Sequence, residues 1–128
     1  MIELEGLDHV ALAVRDVKGS ARWYIDVLGF EHRFKGMWNG VPVWLVREKM
    51  ALALFPKSGG DGEAIDPVKT GAIRHLAWRA TRKNFVAAQE ELRRRGISFH
   101  FQDHEISHSI YFKDPDGIQL EITTYEIG

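Results

Sequence analysis

Three residues of this 128-residue chain, His9, His75 and Glu121, have the types and the placement to share a metal ion. Two imidazole nitrogens and one carboxylate oxygen suit Fe(II), Mn(II), Co(II), Ni(II) or Zn(II). Three protein ligands also leave coordination positions open for a substrate or for oxygen. A lone histidine in a strand-like run is more often structural than a ligand. An internal repeat singles these two out. Leu7–Asp16 (LDHVALAVRD) and Ile73–Arg82 (IRHLAWRATR) both place His third, continue with alternating apolar positions and end at a polar break. Duplicated modules bring equivalent residues together about a pseudo-twofold axis. Glu121 lies in an otherwise apolar, strand-like run, where a carboxylate is costly unless it is paired or holds a cation.

The elements that must position these side chains show as periodicity. In the first strand Val10, Leu12 and Val14 share one face, and His9, Ala11 and Ala13 the other. In its repeat Leu76 and Trp78 oppose His75 and Ala77; in the last strand Leu120 and Ile122 oppose Gln119, Glu121 and Thr123. Each repeat strand leads into an amphipathic helix. Ala21, Tyr24, Ile25 and Leu28 mark the first, stopped at Gly29; Phe85, Ala88 and Leu92 mark the second, stopped at Gly96. Further strands are expected at Phe30–Phe34, Val41–Val46 and Met50–Phe55, then at Ser98–Phe101, Ser109–Lys113 and Gln119–Tyr125. Asp114-Pro115-Asp116-Gly117 reads as a tight turn rather than a calcium loop, whose other oxygen ligands are missing. The expected organisation is one α+β domain of two βαβββ modules, 1–56 and 73–128. Residues 57–72, from the Gly- and Asp-containing stretch Pro56–Gly71, join them as a linker or a lid.

Composition narrows the function classes. With 17 Lys+Arg against 18 Asp+Glu, the net charge of −1 leaves no electrostatic footprint for nucleic acid or an anionic membrane. The run Arg93–Arg95 reads as a solvated last helical turn at the negative end of the helix dipole. Residues that are 45% hydrophobic and 11% aromatic can build a real core. The absence of Cys excludes a disulfide scaffold, a thiolate nucleophile and a cysteine zinc site. No apolar run approaches the ~18 residues of a membrane span. The acidic opening MIELEGLDHV is unlike a basic signal sequence. A soluble, cytoplasmic protein with a small-molecule partner is expected. Open four-stranded modules leave sheet edges that a homodimer would cover.

At LDHVALAVRD, WYIDVLGFE, IRHLAWRA and IYFKDPDGIQLEI, which together cover nearly the whole chain, the sequence resembles the vicinal oxygen chelate superfamily. That group includes glyoxalase I, extradiol ring-cleaving dioxygenases, fosfomycin-resistance thiol transferases, methylmalonyl-CoA epimerase and bleomycin-binding proteins. The resemblance implies two modules forming a cupped, partly open mixed sheet around a divalent metal. It assigns His9, His75 and Glu121 as ligands, with Fe(II) or Mn(II) favoured over Zn, Ni or Co.

Departures within the family sharpen the reaction. Glyoxalase I-like enzymes bring a fourth, carboxylate ligand from the last strand of the first module; here Ala53 takes that slot. Fosfomycin enzymes share the ligand set but usually carry Thr where this chain has Ala11, and a longer C-terminal segment than the one ending at Gly128. Bleomycin-binding proteins generally lack the ligands. Extradiol dioxygenases add a Tyr ten residues before the Glu and a His shortly before that Tyr; Tyr111 fits the first, and His104 resembles the second at a shorter interval to the Tyr than the family's. Tyr111 also fits the YF-x-DPDG context of the fosfomycin enzymes. His100, His104 and His108 recur every four residues, but Phe99 and Phe101 alternate as in a strand. They are therefore read as strand and loop positions, with His104 near the chemistry and His100 and His108 in solvent. Among Trp38, Trp44, Phe55 and Trp78, which default to the core, Trp44 is taken as a pocket residue.

The leading expectation is a metal-dependent enzyme whose small substrate chelates the metal through adjacent oxygens, most specifically a ring-cleaving extradiol-type dioxygenase. Tyr111 would hydrogen-bond the developing anion and His104 would move protons. The alternatives are a non-redox isomerase, epimerase or thiol transferase on the same centre, and a small-molecule binding module without catalysis.

Overall fold

A computed structural model describes residues 1–57 and 73–128. The stretch read as a linker or lid therefore lies, apart from its first residues, outside the described residues. The chain divides into two units, Met1–Glu63 and Ala64–Gly128, each of which has its own sheet. Each unit runs strand, helix, three strands, as expected of an α+β fold built from βαβββ modules. No helix among the described residues is long and apolar enough to cross a membrane.

In the first unit β1 (Val10–Val14) leads into α1 (Val17–Leu28), followed by β2 (Glu31–Arg33), β3 (Val43–Arg47) and β4 (Met50–Pro56). The sheet order is β1-β4-β3-β2, with β1 parallel to β4 and the other pairs antiparallel. The Asp16 carboxylate caps α1 by accepting from the Gly19 amide. Gly29 ends the helix in the left-handed region at φ 71°, where a Cβ would meet the Arg47 guanidinium at 2.6 Å. Arg47 is that close because it donates to the Leu28 carbonyl, one of the acceptors a helix end leaves unpaired. Tyr24, Phe30, Leu45, Leu52, Leu54 and Val14 form the buried core, with Tyr24 edge-on to Phe30.

In the second unit β5 (Leu76–Arg79) leads into α2 (Arg82–Arg94), then β6 (His100–Asp103), β7 (His108–Lys113) and β8 (Gln119–Thr124). The order β5-β8-β7-β6 and the strand directions repeat those of the first unit. Thr81 caps α2 by accepting from the Asn84 amide at 3.2 Å. Phe85 and Leu92 bury the inner face of the helix, which lies on β8, and Ile110, Phe112 and Leu120 are buried in the same unit. Two of the three arginines in the basic run are taken up locally, since Arg94 and Arg95 both pair with Glu91. The Asp114–Gly117 turn closes on the Asp114 carboxylate, which accepts from the Asp116 and Ile118 amides at 2.8 and 2.9 Å.

Strand boundaries differ from the sequence expectation where a donor is missing or a ladder stops. The run expected from Val41 begins at Val43, because Pro42 has no N–H to give the ladder. The run expected at Ser98–Phe101 is displaced to His100–Asp103, where it pairs with His108–Tyr111 across a tight turn. In β1 and β5 the expected parity holds: Val10, Leu12 and Val14 are more covered than Ala11 and Ala13, and Leu76 and Trp78 more than Ala77 and Arg79, whereas in β8 Glu121 is buried alongside Leu120.

Candidate metal centre

The second unit gathers the richer half of the expected chemistry. Across the parallel β5–β8 pair Ala77 lies opposite Glu121, and across the antiparallel β7–β8 pair Tyr111 lies opposite Glu121. His75, two residues before Ala77, falls on the same face. Its Nε2 lies 3.0 Å from Glu121 Oε1. Glu121 is only 8% exposed. Its other oxygen, Oε2, accepts a 2.7 Å hydrogen bond from the fully buried Ser109 hydroxyl. Burying this carboxylate is tolerable because both oxygens have partners.

Sequence reasoning missed Ser109. The signal for it was a hydroxyl in a strand whose neighbours Ile110 and Phe112 are core. Its meaning depended on cross-strand register, which places it opposite Thr123, with Oγ1 at 3.0 Å.

Tyr111 and His104 are also brought together. Their Oη and Nε2 share a 2.9 Å hydrogen bond. The turn between β6 and β7 makes this contact, since the His104 amide donates to the Ser107 carbonyl and folds the loop back on itself. The Tyr111 ring also stands edge-on to His75, with centroids 5.8 Å apart. Burial, and then the neighbouring Glu121 carboxylate, push the Tyr111 hydroxyl above its ordinary pKa, so it stays a proton donor at neutral pH. His100 is exposed as expected. His108 is not: it is half-covered, edge-on to Phe101, with Nε2 3.6 Å from Asp103 Oδ1.

His9 belongs to the first unit. Its Nδ1 lies 2.7 Å from Asp8 Oδ2. A carboxylate can only accept, so Nδ1 carries the hydrogen, and in the neutral ring the lone pair is on Nε2. The ring packs against Trp44 with centroids 4.7 Å apart. Trp44 in turn contacts Phe34 and Trp38, both about half exposed. Phe34 and Trp38 hold left-handed φ values of 57° and 54°, which bulky residues rarely adopt. Ala53 lies opposite both Ala11 and Trp44, so it stands where Glu121 stands in the second unit.

The His75–Glu121 pair offers the nitrogen and oxygen donors a divalent ion takes. With no metal, an Nε2–H on His75 can bridge to Glu121; a divalent ion would be held by the same pair in place of that proton. Ser109 holds Oε2 and leaves Oε1 toward the imidazole. Among the described residues no group of three or more His, Asp or Glu side chains is gathered as a cluster.

Comparison with known proteins agrees with this architecture. The family model of the Glyoxalase/Bleomycin resistance protein/Dioxygenase superfamily matches residues 6–122. Glutathione transferase FosA of Serratia marcescens is 26% identical over 119 residues, covering 93% of this chain and 80% of that protein. Biphenyl-2,3-diol 1,2-dioxygenase 3 of Rhodococcus globerulus is 29% identical over 120 residues. That match covers 91% of this chain but only 61% of the dioxygenase. The crystal structure of a glyoxylase/bleomycin resistance protein/dioxygenase domain from Frankia sp. EAN1pec superposes with a TM-score of 0.81 at 24% identity, covering 98% of this chain and 96% of that one.

Proposed function

The chain belongs to the Glyoxalase/Bleomycin resistance protein/Dioxygenase superfamily, and from that premise we propose a divalent-metal enzyme that acts on a substrate chelating through adjacent oxygens, most specifically an extradiol-type ring-cleaving dioxygenase. His9, His75 and Glu121 are its candidate metal ligands. Fe(II) or Mn(II) is the favoured ion. When bound, the ion supplies Lewis-acid stabilisation of an anionic substrate and, if redox-active, a route for oxygen chemistry.

The observation that carries this reading is the convergence of two pairs on one sheet face. His75–Glu121 provides a ligand pair, and Tyr111–His104 provides an acid–base pair beside it. In this reading His104 Nε2 takes a substrate hydroxyl proton and then donates to Tyr111 Oη, which leaves the Tyr111 hydrogen for the substrate. Tyr111, kept protonated by its surroundings, donates its hydroxyl to the oxygen that becomes anionic. Ser109 keeps Glu121 from rotating and so keeps Oε1 aimed at His75. Trp44 packs on His9 and supplies an aromatic wall beside that imidazole. A homodimer and a small-molecule partner belong to the same proposal.

The test is metal content on protein purified without chelator, followed by anaerobic Fe(II) loading and a screen of catechols for ring-cleavage absorbance. About one divalent ion per chain, the single three-ligand site that this chemistry uses, and cleavage of some diol are expected. The absence of ring-cleavage absorbance with every diol sinks the dioxygenase reading. Thiol transfer on the same centre is the second reading, supported by the 80% coverage of the glutathione transferase against 61% of the dioxygenase. It predicts activity that needs no oxygen and survives replacement of iron.

A further inference from the structure

On the second unit the face that carries His75 and Tyr111 extends into a cavity of about 760 Å³. Among the described residues its lining includes Arg74, His100 and Lys113, with Phe99 as an apolar wall, and no aspartate or glutamate. The register accounts for this. His100 lies opposite Tyr111 across β6–β7, and Lys113 lies opposite Gln119 across β7–β8. Lys113 is two residues beyond Tyr111 and therefore on its face. Neither Arg74 nor Lys113 makes an ion pair with a described residue. Arg74 is near enough to Tyr111 to act electrostatically on its hydroxyl.

The repeat shows that the fold does not require these charges. Two residues beyond Trp44, where the second unit has Lys113 opposite Gln119, the first unit has Val46 opposite Ala51. Where the second unit has His100 opposite Tyr111, the first has Arg33 opposite Trp44, and Arg33 is taken up by Glu31. A concave site lined by two cations that make no ion pair with a described residue favours an anion as its occupant.

We propose that this cavity is an anion subsite of the centre described above: Arg74 and Lys113 take a carboxylate or phosphoryl group on the substrate while its chelating oxygens lie toward His75 and Tyr111. The substrate is then an acid as well as a chelator. The assignment of the cavity to substrate rests on the metal-enzyme reading, whereas the anion site itself does not.

The test has two arms. In the first, the metal-free chain is titrated with benzoate, phenyl phosphate and neutral benzyl alcohol while backbone amide shifts are followed. One or both anions should bind in the millimolar range, with shifts centred on Arg74, His100 and Lys113. Added salt should weaken that binding, and Arg74→Gln/Lys113→Gln should lose about tenfold or more, one contact's worth of affinity. The tighter anion identifies carboxylate or phosphoryl as the preferred group. Equal shifts with benzyl alcohol, or no loss in the double variant, overturn the subsite. In the second arm, metal-loaded protein is given 3,4-dihydroxybenzoate and catechol. A preference of about tenfold or more for the acid, lost in the double variant, is expected on the same scale. Equal metal-dependent binding of both diols overturns the subsite but leaves the enzyme reading standing. Anion binding in the first arm without metal-dependent binding of either diol supports the anion site and removes the enzyme reading.

Discussion

In the first unit Ala11 lies opposite Ala53, and Ala53 opposite Trp44; in the second, Ala77 lies opposite Glu121, and Glu121 opposite Tyr111. The backbone hydrogen bonds that create these neighbours are the same in both. What differs is that a methyl and an indole occupy the places of a carboxylate and a phenol. The first unit's face is accordingly aromatic, with Trp44, Phe34 and Trp38 in ring contact around His9. The second unit's face is a polar network running from His104 through Tyr111 to His75, Glu121 and Ser109. The duplicated scaffold thus carries a polar, titratable face in one copy and an aromatic face with one imidazole in the other.

The largest expected effect comes from making the second unit like the first. Glu121→Ala should lower metal affinity by more than about a hundredfold, beyond the usual effect of losing a residue that only supports a ligand. Elemental analysis after dialysis checks this, and retention of one ion per chain would break the comparison. Tyr111→Phe removes only the hydroxyl. It should keep the metal but reduce kcat by about 10²- to 10⁴-fold, the range for a lost proton-transfer partner. Steady-state kinetics with unchanged metal content is the check.

The converse change puts the second unit's carboxylate into the first. Ala53 is 1% exposed, so Ala53→Glu buries a charge beside Trp44 and should cost about 3 kcal/mol of stability in urea unfolding. Little or no loss would mean that the first unit already offers a carboxylate a partner. Ser109→Ala tests the support beneath Glu121. Metal affinity should fall about 10- to 100-fold, as when a group orienting a ligand is lost, with the fold intact by circular dichroism.

The smallest effect lies away from both faces. Hydrogen bonds from Arg94 and Arg95 hold the Glu91 carboxyl below its ordinary value of 4.5. A depressed folded-state value stabilises the fold above the ordinary value, and that contribution is lost as pH falls through the lowered one. Glu91→Gln should therefore lower the urea midpoint slightly at neutral pH, leave it unchanged at pH below the lowered value, and so flatten the acid limb of the profile.

Much of this was legible in the residue pattern. Alternation along a strand is a local property of the pleat, so the common face of His9, Ala11 and Ala13, and that of Gln119, Glu121 and Thr123, followed directly from the sequence. The helices and their stops at Gly29 and Gly96 followed from periodicity and from glycine's access to left-handed φ. The α+β class with its strand–helix–three-strand order came from the same signals and the repeat. His104 and Tyr111 came from family likeness, and no periodicity placed them together.

Other features became visible only through long-range pairing. Ser109 is an ordinary strand serine until the β7–β8 register puts it under Glu121. The His104–Tyr111 contact depends on how the β6–β7 turn folds back, and the cationic cavity depends on three strands aligning His100, Lys113 and Gln119. His108 was expected in solvent and lies half-covered because the same turn brings Asp103 opposite it. The sequence determines which side of its own strand each residue takes, because the pleat has period two. Which residues then become neighbours is decided by interstrand hydrogen bonds between segments distant in the chain, and only the tertiary structure sets that register.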